Sequence, residues 1–171
     1  DEARQKVAKL NEQKEQRLHP HLKRYEDLWA KRVLKYEFFF GQSLKESEAI
    51  KHEESEILLI ERDAAKKIVD IWQSVDKRVR EALQSKLPGE AAPLKAMLEQ
   101  VRTETENALE KQAFAYDFKD FADFKGFETE IAAVAGHGYS KRRAEVALHK
   151  EQWDVDKALI RLAKESPKKS D

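Results

Sequence analysis

Apolar residues recur at intervals of three and four along most of this chain, the spacing that places side chains on one face of an α-helix. The first stripe, over residues 2–18, is thin, and Pro20 is expected to kink or restart the helix behind it. A denser stripe follows and ends in three phenylalanines at 38–40, which we interpret as the closing core of a helical hairpin, with an interface as the alternative. Gly41 then predicts the end of this helical segment.

Two further helices are predicted after that turn. A broad apolar face over 44–87 indicates a helix of about 60 Å, and Ser43 with Glu46 has the spacing of a capping box at its start. A third helix is predicted over 93–114. Short connections make neighbouring helices antiparallel, so we expect residues 1–114 to form an elongated, coiled-coil-like antiparallel scaffold in an all-α protein.

Residues 115–126 form an aromatic and acidic connector in which phenylalanine occupies every third position. Phe118, Phe121 and Phe124 alternate with acids and lysines. We favour packing of this stripe on the protein itself, with the C-terminal segment docked against the third helix. The alternative is a docking motif for another protein, because Asp-Phe-Ala-Asp-Phe resembles the peptides that bind the ear domains of clathrin adaptors.

The C-terminal segment has the pattern of a compact three-helix domain over residues 127–165, followed by a tail at 166–171 that we expect to be disordered. Its amphipathic stretches are residues 128–135, 141–150 and 155–164. Gly138 permits a sharp first loop, and Ser140 and Asp154 are suitable N-caps for the second and third helices. A domain of about 40 residues must bury nearly all its apolar side chains. The expected core comprises Ile131, Val134, Leu148, Val155, Leu159 and Leu162.

This segment resembles a ubiquitin-associated (UBA) domain across both of its loops. The family's first loop and second helix are similar to Gly138-Tyr139-Ser140 with Ala144, Ala147 and Leu148. The second loop and third helix are similar to Trp153-Asp154-Val155 with Ala158, Leu159 and Leu162. The resemblance covers about a quarter of the chain and leaves the helical scaffold unassigned.

The resemblance implies a surface that recognises the apolar patch of ubiquitin or of a ubiquitin-like protein. Carried over by position, that surface comprises His137, Gly138, Tyr139, Ile160, Ala163 and Lys164. His137 stands where methionine is customary and Ala163 where a larger aliphatic residue is frequent, so the apolar contact is reduced and weak binding is expected. Dimerisation through the scaffold would then supply avidity.

Composition excludes several functional classes. Lys plus Arg and Asp plus Glu each number 33, so the chain lacks the basic surplus typical of nucleic-acid binding, and we expect no nucleic-acid partner. No apolar run approaches the roughly 18 residues of a membrane span. The absence of cysteine excludes disulfides and thiol catalysis and favours a cytoplasmic location, with a nuclear one as the alternative. Because the chain starts at Asp1, we expect it to be cut from a longer protein.

No catalytic, cofactor or metal-binding motif appears in the sequence. His19 and His21 flank a proline without a third ligand nearby, and Glu53, Glu54 and Glu56 are interpreted as a solvated helix face. We therefore predict a non-catalytic adaptor or regulatory segment without cofactor or metal. Its scaffold is expected to hold an unidentified protein partner or to form a homodimer, while its C-terminal domain recognises ubiquitin or a ubiquitin-like protein. One alternative is a helical assembly subunit that uses this domain within a complex, and another is an allosteric arm of a larger ubiquitin-system enzyme.

Overall fold

The computed structural model describes residues 1–39, 44–85, 91–118 and 126–167, with side chains described outside 32–39 and 44–47. Within these ranges the chain forms six helices and no strand, which confirms the all-α prediction. The helices are α1 (Glu2–Phe39), α2 (Leu44–Ser85), α3 (Ala91–Phe114), α4 (Glu128–Ala135), α5 (Lys141–Lys150) and α6 (Val155–Glu165). The predicted cap at Ser43, the turn at Gly41 and the tail beyond Pro167 lie outside the described residues.

The long helices α1 and α2 pack against each other around a buried carboxylate. Glu53 on α2 is only 5% exposed, so its interpretation as part of a solvated face is wrong. Its Oε2 lies 2.7 Å from His21 Nδ1, and its Oε1 lies 3.7 Å from Arg24 Nη1. Glu54, which stays exposed, accepts a 3.1 Å hydrogen bond from the Tyr25 hydroxyl. A buried carboxylate needs such partners, so these contacts fix the pairing of the two helices.

Helix α1 continues through Pro20, so the predicted restart does not occur. Proline removes one backbone hydrogen-bond donor from a helix, and side chains on both sides of Pro20 are held by contacts with the rest of the scaffold. Leu18, two residues before Pro20, is 2% exposed, and His21, immediately after Pro20, contacts Glu53. Tertiary contacts therefore override the local signal.

Helix α3 packs on the C-terminal half of α2. Val69 of α2 meets Ala108 and Leu109 of α3 in a buried cluster. Where α3 ends, the Arg62 guanidinium of α2 donates a 3.4 Å hydrogen bond to the carbonyl of Ala115. Helix α2 is thus the central member of the scaffold, and at 42 residues it measures about 63 Å.

Helices α4 to α6 form the compact C-terminal domain, and their bounds agree with the predicted ones to within one residue. Both predicted caps are confirmed: Ser140 Oγ accepts from the amide of Arg143 at 3.2 Å, and Asp154 Oδ1 accepts from that of Lys157 at 3.1 Å. The ring of Phe127 stacks on Trp153 at 4.1 Å and covers the second loop. The buried core comprises Ile131, Val134, Ala144, Ala147, Leu148, Ala158 and Leu162. Val155 and Leu159, also predicted for the core, pack against it while only partly buried.

Candidate interaction surface

The first loop of the C-terminal domain is held by backbone hydrogen bonds and a left-handed glycine. The amide of His137 donates to the Val134 carbonyl at 3.1 Å, and that of Gly138 donates to the Ala135 carbonyl at 3.0 Å. Gly138 has φ +96°, where an added side chain would meet no atom within 4 Å but would strain the backbone. The loop therefore presents His137 as an exposed side chain on a defined turn.

Tyr139 has a structural role as well as a candidate binding role. Its ring is half-buried against the domain core, and the Arg143 guanidinium lies 5.5 Å from the ring centroid. Arg143 is itself buried and donates a 3.1 Å hydrogen bond to Ser166 Oγ, just beyond α6. A substitution of Tyr139 would therefore disturb packing as well as any contact with a partner.

The structure divides the six residues implied by the UBA resemblance between two neighbouring grooves. His137, Gly138, Tyr139 and Ala163 line a groove of about 600 Å³ together with residues of α3. On α6, Ile160 and Lys164 instead line a second groove of about 340 Å³. Residues three and four apart are neighbours on a helix surface, so Ala163 and Lys164 adjoin Ile160 and the two grooves share one edge. Ile160 is 56% exposed, a large value for an aliphatic side chain.

Helix α3 supplies the other wall of the 600 Å³ groove. The sequence predicts docking of the C-terminal segment on this helix, but the groove residues of α3 are not among the predicted site residues. Glu110 accepts a 2.6 Å hydrogen bond from the Ser140 hydroxyl, which connects this wall to the first loop. Nearer the start of α3, Arg102 Nε lies 3.4 Å from Glu106 Oε1, and Arg102 Nη1 lies 3.7 Å from Glu99 Oε2. No local sequence signal marks this wall, because it is created by docking of one unit on the other. A partner in this groove would touch both scaffold and C-terminal domain.

The first phenylalanine of the aromatic connector lies between the scaffold and the C-terminal domain. Phe118 is 5% exposed and packs with Ala113 of α3 and Val146 of α5. The Arg142 guanidinium lies 4.4 Å from the Phe118 ring centroid, and its Nε donates to the Ala113 carbonyl at 3.1 Å. The Tyr116 hydroxyl adds a contact of 3.0 Å with His149 Nδ1. Phe118 therefore lies in an intrachain contact.

The other two connector phenylalanines, Phe121 and Phe124, lie outside the described residues. Among the residues that are described, no three His, Asp or Glu side chains are grouped so as to hold a metal ion. None of the described helices combines the length and apolar character needed to cross a bilayer. Comparisons of this chain with family models, curated proteins and solved structures found no match.

Proposed function

We propose that this chain is a non-catalytic adaptor or regulatory segment whose UBA-like domain binds ubiquitin or a ubiquitin-like protein. The observation that carries the proposal is the position of its apolar side chains. Ile160 is 56% exposed on α6, next to the groove that contains the first loop. Docking on the scaffold uses α5 through Arg142 and Val146, so it leaves the outer face of α6 accessible.

The expected interaction is weak and small. Complete burial of an isoleucine side chain stabilises a complex by about 1.5–3 kcal/mol, and Ile160 is the main aliphatic contributor on this surface. His137 and Ala163 add less apolar area than the methionine and the large aliphatic residue that are customary at these two positions of a UBA domain. Small interfaces suit transient binding, and the scaffold would strengthen it by holding two domains together in a dimer.

A second candidate function is supported by the docking contacts between α3 and α5. The C-terminal domain already packs on its own scaffold through a buried aromatic side chain, Phe118, which is the type of contact expected in a helical assembly subunit. In that case the exposed face of α6 would meet another subunit of a complex. Binding of ubiquitin separates the two candidates.

The deciding experiment is a titration of isotopically labelled ubiquitin with the whole chain, followed by amide chemical shifts. We expect saturable shifts on the apolar face of ubiquitin and about a tenfold weaker affinity for Ile160→Ala, because one exposed aliphatic contact is removed. Leu59→Ala is the matched control, since Leu59 is 38% exposed on α2, away from the proposed surface. Absence of shifts at millimolar protein, or an equal loss in the control, would refute recognition of monomeric ubiquitin and favour the assembly subunit.

Tyr139→Ala tests the loop side of the surface. Because Tyr139 packs against the domain core, the variant must first be shown to fold. Its ubiquitin affinity is compared only if the amide signals of the core residues Leu148 and Leu162, which are 0% and 1% exposed, keep their native positions. A folded variant that binds ubiquitin as tightly as the parent chain would remove the first loop from the proposed interface.

A further inference from the structure

A small cavity of about 50 Å³ lies where the C-terminal domain meets the scaffold. It shares Arg143 with the 600 Å³ groove, and Arg161 and Glu165 with the 340 Å³ groove. Its lining comes from α2, α3, α5 and α6, and four cations from three of these helices face it. The cations are Arg62 of α2, Arg143 and Lys150 of α5, and Arg161 of α6. Glu165 is the one carboxylate that lines the cavity among the described residues.

Arg143 is the most buried of these cations, with 8% of the residue exposed. It donates to Ser166 and lies over the ring of Tyr139, and neither group carries a negative charge to balance it. Burial lowers the pKa of Arg143, while the negative charges of Glu165 and Glu110 oppose that shift. Among the described residues, no carboxylate lies within 4.0 Å of this guanidinium. A buried charge without a close counter-ion is costly, so an anion beside it would stabilise the fold.

Lys150 and Arg62 likewise lack a carboxylate within 4.0 Å in the described part of the chain. Within the described residues Arg62 donates only to the Ala115 carbonyl, and the Lys150 ammonium lies 5.3 Å from the centroid of the Tyr116 ring. The pKa of Lys150 is lowered by partial burial and by the positive charges of Arg161 and Arg62, against the opposing charge of Glu165. These cations are therefore close enough to repel one another.

The remaining cation, Arg161, is already paired. Its Nη2 lies 2.7 Å from Glu151, and its Nη1 lies 3.8 Å from Glu165. With Glu165 of the lining and Glu151, the partner of Arg161 outside the lining, both counted, the four lining cations keep an excess of two positive charges. A phosphate dianion supplies that missing charge.

We propose that this cavity binds a phosphate group, as inorganic phosphate or as a small phosphomonoester. The cations approach from α2, α5 and α6, and a tetrahedral oxyanion presents oxygens in several directions, whereas a carboxylate presents two in one plane. Guanidinium groups match such oxygens with charge-assisted hydrogen bonds. The small volume excludes a nucleotide base. Because the ligand would contact α2, α5 and α6 together, it would also strengthen docking of the C-terminal domain.

The test is a titration of the isotopically labelled whole chain with sodium phosphate, compared with sodium chloride at equal ionic strength and pH. We expect saturable, phosphate-specific amide shifts around the cavity. Lys150→Gln and Arg62→Gln should each weaken phosphate binding about tenfold, because each removes a charged hydrogen-bond donor. Lys150 is more exposed than Arg62, so Lys150→Gln decides the matter where Arg62→Gln perturbs folding. Lys141→Gln, on the same helix but outside the cavity lining, is the matched control and should bind like the parent chain.

Glu165→Gln gives a test of opposite sign, because removal of this carboxylate should tighten phosphate binding. A second titration with O-phosphoserine distinguishes the sources of the phosphate: binding of both ligands assigns a phosphomonoester site, and binding of inorganic phosphate alone assigns the free ion. Three results would overturn the proposal: shifts equal to those from chloride, an equal loss in Lys141→Gln, or weaker binding by Glu165→Gln. Ubiquitin takes no part in this experiment, so its outcome is independent of the function proposed above.

Discussion

Replacement of Phe118 by alanine should release the C-terminal domain from the scaffold without unfolding it. The domain has its own core around Leu148 and Leu162, to which Phe118 does not belong. Truncation of a buried phenylalanine costs about 3–5 kcal/mol in general. Phe118 is 5% exposed and also contacts the Arg142 guanidinium, so we take about 3 kcal/mol as the loss of docking free energy. The docked population relative to the released one should therefore fall about a hundredfold.

Nuclear magnetic relaxation of backbone amides measures this release directly. In the parent chain the amides of α4 to α6 should tumble with those of α1 to α3, because the two units are docked. In Phe118→Ala the amides of α4 to α6 should tumble faster while keeping their native chemical shifts. Phe114→Ala is the matched control, since Phe114 is 62% exposed and lies 5.8 Å from the same guanidinium. It should behave like the parent chain.

Three results would refute this account of Phe118. Uniform tumbling in the alanine variant would mean that hydrogen bonds such as Arg142 to Ala113 are sufficient for docking. Collapse of the α4 to α6 resonances to unfolded shifts would mean that the domain depends on the scaffold for its stability. A loss of docking in Phe114→Ala equal to that in Phe118→Ala would show that burial does not determine the contribution of these rings.

Three further substitutions test other contacts. His137→Met should tighten ubiquitin binding about three- to tenfold in the same shift titration, because it adds apolar surface to an exposed loop; an unchanged affinity would place the loop outside the interface. Ser140→Ala should lower the unfolding free energy by about 1–2 kcal/mol in denaturant titrations, since it removes the α5 cap and the 2.6 Å hydrogen bond to Glu110. Ser85→Ala, at an exposed serine of α2, is the control. Glu53→Gln should lower the unfolding free energy by about 3 kcal/mol, because the buried partner of His21 and Arg24 loses its charge. Glu54→Gln, at an exposed position, should change the unfolding free energy by less than about 1 kcal/mol.

The C-terminal domain could be predicted closely because its determinants are local. Ser140 and Asp154 each cap the helix that begins at the next residue, and Gly138 supplies the left-handed backbone of the loop between α4 and α5. These signals act over three or four positions and need no knowledge of the rest of the fold. The amphipathic spacing of each short helix then determines which side chains enter the core.

The scaffold and the cavity depend on contacts between residues distant in the sequence. Pro20 signals a break, but packing of α1 on α2 carries the helix through it. Glu53 reads as one acid in a charged run, and its burial follows only from the position of His21 on the facing helix. Arg62 and Arg161 belong to different units, so their approach to one cavity could not be inferred from either segment alone.

The docked arrangement makes the scaffold part of any site that uses the first loop. Glu110 of α3 accepts a hydrogen bond from Ser140, and Arg102 of α3 lines the same groove as His137. A partner that fills this groove gains contacts with α3 only while the domain is docked. Phe118→Ala should consequently lower the affinity for such a partner. It should leave unchanged an interaction confined to Ile160 on the outer face of α6. Comparison of ubiquitin affinity between Phe118→Ala and Ile160→Ala therefore determines whether the scaffold takes part in recognition or only carries the domain.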